Sequence, residues 1–380
     1  MKKNILFAAA ALLALAACTK VETAQDVQRE INFEVANSLT KATGSVYSNG
    51  AFGTYAWFNN TDDFMVNEQV DLSGGVWKTV DHTFYWPKTG SISFISYSPF
   101  AGESNTAGTV PVVTKNSITY TGVTAGTTDL MYADRATCSS NVNVVTDSDI
   151  ADSGYSGVPT VFRHALAKVS FKIRANFLTS TDPTTNTTTT WEVTVKNAQI
   201  SGFKTTGDLA LTLNGNNWDK PVTNIGTPEE PVNVNVWTNL SGATTAQELV
   251  ADTENGVVLT TTAQDLNSAT GFVIPQVLTA DAQKLELNIH IKTTLSNGKV
   301  IEEDYKTTGF DGGTYPPIDI KDISSLKAWE INQNIVYTIN IKPTATTPTG
   351  SYDNPNDVII TFDPAVADWT TVDAAATIQL

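Results

Sequence analysis

The residue types that most often carry out chemistry are sparse and scattered in this chain. Its three histidines, His82, His164 and His290, are far apart, and none has another histidine or a cysteine at the spacing of a metal site. The sequence contains neither a Gly-Xaa-Ser-Xaa-Gly nucleophile turn nor a phosphate-binding loop. We therefore expect no enzyme activity, no catalytic residue and no cofactor, and we expect His164 to be structural.

Two acidic loops, at residues 147–152 and 353–357, carry enough side-chain oxygens to be weighed as calcium sites. Neither has the pattern of the common calcium-binding loop. Aspartate and asparagine are also frequent turn residues, because their side chains bond to the nearby backbone. We favour turns over calcium for both loops and predict no metal site.

One cysteine has a chemical role that its position predicts. Lys2 and Lys3 form a basic start, and the apolar residues 5–17 are too few to cross a bilayer. Residues 15–18, Leu-Ala-Ala-Cys, resemble the lipobox of bacterial lipoproteins. The sequence thus predicts a signal peptide at 1–17, acyl chains on Cys18 that anchor the protein in a membrane, and a polar tether at 18–29. The alternative is an ordinary secretory signal and a coincidental cysteine.

The second cysteine, Cys138, lies in a serine-rich stretch, and we expect it to be a spare residue in a loop. If Cys18 carries lipid, no internal disulfide can form, so the domains must be held together by packing. The formal net charge of −16 opposes binding to nucleic acid, which we exclude as a partner.

A short strand follows the tether. Apolar and polar side chains alternate at residues 31–35, and Ile31, Phe33 and Val35 share one face, which is typical of a half-buried strand. The polar residues 38–44 then predict a loop that contains Lys41.

The last nine residues, 372–380, alternate in the same way. The apolar face of this tail consists of Val372, Ala374, Ala376, Ile378 and Leu380. Such regularity up to the last residue is unusual, because chain ends commonly fray. A strand of this kind needs an apolar groove, and the pattern leaves open whether it pairs at the edge of its own domain.

Many short strands separated by turn residues, with no long helical period, predict an all-β protein of β-sandwich domains. We expect no parallel sheet, because no helical segments connect the strands. A Ser/Asn/Asp-rich stretch at 139–157 divides a domain at 30–157 from one at 158–380. A strand at 358–362 is expected to end at Pro364.

Several segments, in this order, resemble the fimbrillin family of Bacteroidales over nearly the whole mature chain. They are Phe-Tyr-Trp-Pro at 84–87, Tyr-Ser-Pro at 97–99, Asp-Leu-Met-Tyr-Ala at 129–133, Phe-Arg-His-Ala-Leu-Ala-Lys-Val-Ser-Phe at 162–171, Phe-Val-Ile-Pro-Gln at 272–276 and Trp-Glu-Ile-Asn-Gln-Asn-Ile-Val-Tyr at 329–337.

The resemblance implies two tandem transthyretin-like Greek-key β-sandwich domains and assembly into type V pili. Subunits of the family are exported as lipoproteins to the outer membrane. A trypsin-like protease then removes the first strand, and a strand from the next subunit, commonly its C-terminal one, fills the vacated groove. The expected partners are thus other copies of the chain or related pilins, the protease, and the membrane through Cys18.

Two basic residues are candidates for the cleavage site. Cleavage after Arg29 would free the protein from its lipid but leave the strand 31–35 in place, whereas cleavage after Lys41 would remove both. The mechanism favours Lys41, with Arg29 as the alternative. The alternative is that Arg29 and Lys41 are both ordinary charged surface residues and that the protease cleaves at neither.

The sequence therefore predicts a pilus subunit precursor at the cell surface that serves adhesion, with residues 372–380 as donor strand. The alternatives are a tip or anchor pilin, or a surface lipoprotein that never polymerises and binds a glycan or another ligand. Exposed tryptophans could stack on sugars in the last case, but we expect Trp57, Trp77 and Trp86 to pack in the core.

Overall fold

The computed structural model describes residues 30–36, 47, 49–102, 110–126, 128–139, 142–145, 157–214, 217–218, 223–224, 231–232, 236–244, 246–251, 255–266, 271–323, 326–343 and 358–366. Within these residues the regular structure consists of β-strands and one 3-10 turn, Ile320–Asp322. This confirms the all-β prediction. None of the described segments forms a helix that could span a membrane.

The strands of the first half are, in chain order, β1 (Phe33–Ala36), β2 (Phe52–Phe58), β3 (Asp62–Ser73), β4 (Val76–Thr79), β5 (Ser91–Ser98), β6 (Val112–Thr114), β7 (Ser117–Thr124), β8 (Met131–Ala133), β9 (Ala136–Ser139), β10 (Val142–Val145) and β11 (Val158–His164).

The strands of the second half are β12 (Ala167–Ala175), β13 (Thr179–Thr181), β14 (Thr188–Ser201), β15 (Thr206–Asn214), β16 (Asn217–Trp218), β17 (Thr223–Asn224), β18 (Pro231–Val232), β19 (Trp237–Ser241), β20 (Gln247–Val250), β21 (Val257–Val258), β22 (Gln264–Leu266), β23 (Phe272–Val273), β24 (Gln276–Val277), β25 (Lys284–Leu295), β26 (Val300–Lys306), β27 (Ile318–Asp319), β28 (Ala328–Trp329), β29 (Asn334–Pro343) and β30 (Val358–Val366).

Seven strands of the first half form a closed circuit of backbone pairings. Its order is β5-β2-β3-β4-β1-β11-β8, and β8 pairs back to β5 through Tyr97↔Tyr132 and Ser98↔Met131. Strands β9 and β10 continue outward from β5. An apolar cluster that includes Phe52, Phe94 and Phe162 packs between these strands. We call it the first core, and β1 is the strand that links β4 to β11 around it.

The second half is built from two sheets that share one core. One sheet has the order β22-β12-β29-β30, and the other has the order β13-β14-β25-β26 with shorter strands attached. Phe171 and Tyr337 of the first sheet and Val193 and Ile289 of the second belong to one buried cluster. Two sheets that pack face to face in this way form a β-sandwich. Apolar and polar residues alternate at 167–173 in the sequence, and the apolar ones form the inward face of β12, since Ala167, Val169, Phe171 and Ile173 are all buried.

A third apolar cluster draws on both halves of the chain. Strand β7 pairs with β15, so a sheet crosses the boundary predicted at residue 157. Trp218 Nε1 donates to the carbonyl of Ala133 at 2.9 Å, and Trp237 Nε1 donates to that of Ala165 at 2.8 Å. Strand β11, which begins one residue after that boundary, pairs in the sheet of the first half.

The sequence predicts no parallel sheet, and the described sheets that contain parallel pairs are mixed. Strand β1 pairs in parallel with β11, and β12 pairs in parallel with β29. A parallel pair needs a long crossover connection, which is usually a helix. Here the partners are more than a hundred residues apart, and the intervening strands supply the connection.

Two local predictions are wrong. Pro364 does not end its strand, because β30 continues to Val366 and Pro364 pairs with Tyr337. Among the described strands β30 pairs only with β29, and such an edge position tolerates the missing proline N–H. Cys138 is not in a loop but in β9, where it pairs with Ile92 and is fully buried.

Candidate functional site: the groove that holds the first strand

The alternation predicted at residues 31–35 appears in the structure as an inward and an outward face. Ile31 and Phe33 are 1% and 4% exposed, and Val35 is half-buried against the first core. Glu34 lies on the other face and is only partly covered. The three candidate residues of the removable strand are therefore brought together on one surface.

The backbone of this segment is bonded on both sides. In the parallel ladder with β11, Phe33 pairs with Val158, and the Val158 N–H donates to the Asn32 carbonyl at 2.8 Å. On the opposite side, the Ile31 N–H donates to the Phe84 carbonyl at 2.9 Å. Strand β4 adds a single pair, between Phe33 and Trp77. The pairing with β11 is thus the longer one, and that with β4 is short.

Phe33 provides the main side-chain anchor of β1. Its ring meets Phe52 and Phe94 edge-to-face, with centroid distances of 5.7 and 5.8 Å. Aromatic pairs prefer this geometry, because the positive ring edge faces the negative ring face. Burying Ile31 and Phe33 contributes about 1.5–3 kcal/mol each, or on the order of 3–6 kcal/mol together.

One atom of the segment fits its surroundings poorly. The Oδ1 atom of Asn32 is buried and has no hydrogen-bond partner among the described residues. An unsatisfied buried polar group costs about 1–3 kcal/mol. The cost of the Asn32 oxygen therefore offsets part of the free energy that the burial of Ile31 and Phe33 provides to the segment in the groove.

The chain is fixed to the first core again at Tyr47. The Tyr47 ring stacks on Phe162 at 4.9 Å, and its hydroxyl bonds to Ser98 Oγ at 2.7 Å. Burial raises the pKa of Tyr47 to about 12. Asn49 Nδ2 donates to the Asp129 carbonyl at 2.7 Å. Tyr47 and Asn49 thus hold the chain next to the groove, independently of β1.

The other candidate residues lie outside the described residues. They are Cys18, Arg29, Lys41, both acidic loops and the tail residues Val372, Ala374, Ala376, Ile378 and Leu380. The sequence analysis overlooked Tyr47 and the pairing of β1 with β11. The apolar run at 158–162 was a signal for that pairing, but it was assigned to the second domain.

Each of the three histidines is hydrogen-bonded to a different carboxylate. His164 Nδ1 is 2.7 Å from Asp129 Oδ2, and the His164 backbone N–H donates to Asn332. His82 bonds to Glu68, and this hydrogen bond raises the pKa of His82. His290 bonds to Asp304. Within the described ranges, no group of three or more His, Cys, Asp or Glu side chains could hold a metal ion.

The tryptophans considered for sugar stacking are used in packing. Trp57 is 6% exposed, and Trp77 and Trp86 are half-buried against the first core. None of the large hydrophobic side chains that are exposed in the described part of the chain is a tryptophan. The arrangement can hold a strand, and it offers no stacking platform at these three positions.

The chain was also compared with known proteins. A solved fimbrial protein from Bacteroides vulgatus is similar at 15% identity and a TM-score of 0.53, over 90% of this chain and 100% of that chain. A candidate cell adhesion protein from Bacteroides uniformis has 17% identity and a TM-score of 0.42, over 91% of this chain and 99% of that chain. A tip fimbrial protein from Porphyromonas gingivalis has 11% identity and a TM-score of 0.29, over 90% of this chain and 100% of that chain.

No curated protein matches the chain. The identity to the Bacteroides vulgatus protein is low, so this likeness supports the fold alone. The model of the fimbrillin-like family, in contrast, matches residues 40–369, which is most of the sequence. The chain therefore belongs to the fimbrillin-like family.

Proposed function

We propose that the chain is a structural subunit of a cell-surface pilus, made as a precursor, matured by removal of β1 and polymerised by strand exchange. The observation that carries the proposal is the position of β1 in the closed circuit, between β4 and β11. Family membership supports a role in fimbriae and adhesion at the cell surface.

Loss of β1 would create a binding site for another strand. It would leave the Val158 N–H and the Phe84 carbonyl without their partners and uncover the part of the first core that Ile31 and Phe33 fill. Unpaired strand edges beside an apolar slot are templates for strand addition.

The tail at 372–380 is our candidate for the replacement strand. Val372, Ile378 and Leu380 are three large apolar side chains at alternating positions, and burying them would contribute on the order of 5–9 kcal/mol. The native segment buries two such side chains and pays for an unsatisfied Asn32 oxygen. Exchange is therefore favourable once β1 has left. Contacts of this head-to-tail kind do not close, so they produce filaments.

Cleavage at Lys41 fits this scheme better than cleavage at Arg29. Lys41 lies between β1 and the anchored Tyr47, so cleavage there would release β1 and leave the mature chain attached to its core. Arg29 precedes β1, and cleavage there would keep the groove filled. Lipid on Cys18 would hold the precursor at the outer membrane until this step.

The proposal also includes the division of the fold into two transthyretin-like Greek-key domains, at 30–157 and 158–380.

Limited trypsin treatment of the folded precursor tests the proposal. We expect cleavage after Lys41 and a ladder of polymers on gels run without boiling, because exchanged strands dissociate slowly. The Lys41→Ala variant should stay monomeric under the same treatment, whereas the matched Arg29→Ala variant should polymerise. A wild-type chain that loses β1 and remains a monomer would contradict the proposal and favour a non-polymerising surface lipoprotein.

A further inference from the structure

Gly157 immediately precedes β11 and lies against the backbone of Asn32 and Phe33, where β1 begins. A Cβ atom at this position would be 2.8 Å from the Asn32 carbonyl oxygen and 2.9 Å from the Phe33 carbonyl carbon. Both distances are shorter than real Cβ contacts, and both partners are backbone atoms, which cannot turn aside as the end of a flexible side chain can. A side chain at residue 157 would therefore require the backbone of the strand in the groove, or that of residue 157, to shift.

Space is the reason that this position requires glycine. The φ angle of Gly157 lies outside the left-handed region, so a residue with a side chain could adopt the same backbone conformation. Many other described glycines, such as Gly74 and Gly298, have positive φ angles and open space around the position of a Cβ. Gly157 thus differs from Gly74 and Gly298, because the space beside it is occupied by the backbone of a neighbouring segment.

The atoms that come close to Gly157 do not depend on the sequence of the occupant. Asn32 and Phe33 contribute a carbonyl oxygen and a carbonyl carbon, which every strand in this register would place at the same point. The residue next to Gly157 fixes the register. Val158 pairs with Phe33, and the Val158 N–H donates to the Asn32 carbonyl. A shift by one residue would turn the apolar face of the occupant away from the core.

We propose that Gly157 is a positioning residue of the groove that admits the backbone of whichever strand fills it. It accommodates β1 in the precursor and the strand of another copy in the polymer. The role of Gly157 towards the strand of another copy rests on the proposed function, whereas its role towards β1 concerns the precursor alone. The two roles can therefore be tested separately.

The precursor test compares Gly157→Ala with the control Gly126→Ala by hydrogen exchange. Gly126 also has an ordinary φ angle, and nothing lies within 4 Å of the position of its Cβ. In G157A we expect the Val158 and Ile31 amides to exchange about tenfold faster or more, because overpacking against the backbone opens the groove. G126A should match the wild type. Equal exchange in the two variants would overturn the proposal.

The same measurement distinguishes a local effect from a general loss of folding. The Lys168 amide, ten residues after Val158, donates to the Gln333 carbonyl beside the parallel ladder of β12 and β29, which lies in a different sheet from β1. It should exchange as slowly in G157A as in the wild type. If all amides were accelerated equally, Gly157 would act on the whole fold, and its assignment to the groove would be wrong.

The assembly test uses limited trypsin treatment and unboiled gels. We expect the ladder to be lost or strongly shortened in G157A and retained in G126A. If wild type and G157A gave equal ladders, the role of Gly157 towards the incoming strand would be refuted, while the proposed function would stand. If the wild type gave no ladder, the proposed function would fail, and hydrogen exchange alone would decide the role of Gly157.

Discussion

Strands β1 and β12 each pair in parallel with a distant strand, yet they are held very differently. The partner strand is β11 for β1 and β29 for β12. The ladder of β1 has four pairs, and that of β12 has eight. Strand β12 also pairs with β22 and β23 on its other edge, whereas β1 has one pair with β4.

The difference extends to the side chains. The segment around β1 buries Ile31 and Phe33 almost fully, whereas β12 buries five apolar residues at alternating positions. A strand with few pairs and two anchors can leave without unfolding its neighbours, and a strand with many cannot. The strand that begins the first half is thus held by fewer pairs and fewer buried side chains than the strand that begins the sheet of β12 and β29, which is what the proposed replacement of β1 requires.

The largest expected effect is that of Phe171→Ala in β12. Phe171 is 1% exposed, and its ring stacks on Tyr337 at a centroid distance of 5.1 Å. The substitution leaves a cavity between the two sheets, so we expect the free energy of unfolding to fall by about 3–5 kcal/mol. Urea denaturation measures this change. A loss below about 1 kcal/mol, the size typical of a surface position, would remove the contrast between the two strands.

Phe33→Ala is expected to release β1 and leave the rest of the chain folded. The cost should be about 3 kcal/mol or less, because it cannot exceed the free energy that docks the strand. Hydrogen exchange should show rapid exchange of the Val158 amide, which donates to Asn32, and slow exchange of the Lys168 amide. Simultaneous loss of protection at both amides would mean that β1 is as integral to the fold as β12.

A smaller, pH-dependent effect is expected from Cys138, which lies in the first core. Burial raises the pKa of its thiol from 9.0 to about 12. The folded chain thus holds this proton more tightly than the unfolded chain, so stability is intact below pH 9.0 and falls as the pH rises to about 12. Cys138→Ala should lose less stability than the wild type between about pH 8 and about pH 11 in urea titrations. If the wild type and Cys138→Ala lost the same free energy of unfolding over this pH range, the thiol would make no contribution to the pH dependence of stability.

The sequence predicts local structure well in this protein, because local structure follows from alternation and turn chemistry. Apolar and polar residues alternate at 167–173 and form the buried and outer faces of β12, and Asn297-Gly298, a common hairpin-turn sequence, joins β25 to β26 with Gly298 at a φ of 84°. The apolar face of Ile31 and Phe33 was also predicted correctly.

The failures concern long-range pairing and strand edges. Nothing in the pattern at 158–162 specifies that these residues pair with a strand more than a hundred residues earlier, so the pairing of β11 with β1 could not be predicted. Proline disfavours a central strand, and β30, which pairs only with β29 among the described strands, can accommodate Pro364. The close approach at Gly157 is likewise a property of two distant segments and cannot be predicted from either one.

The most direct test of the account follows one amide, that of Val158, through maturation. In the precursor it donates to the Asn32 carbonyl at 2.8 Å, so its hydrogen exchange should be slow. After trypsin treatment of a chain that lacks residues 372–380, which should remain monomeric, exchange should become fast. In the polymer of the full-length cleaved chain it should be slow again. Slow exchange in the cleaved monomer, or fast exchange in the polymer, would contradict the replacement of β1 by another strand.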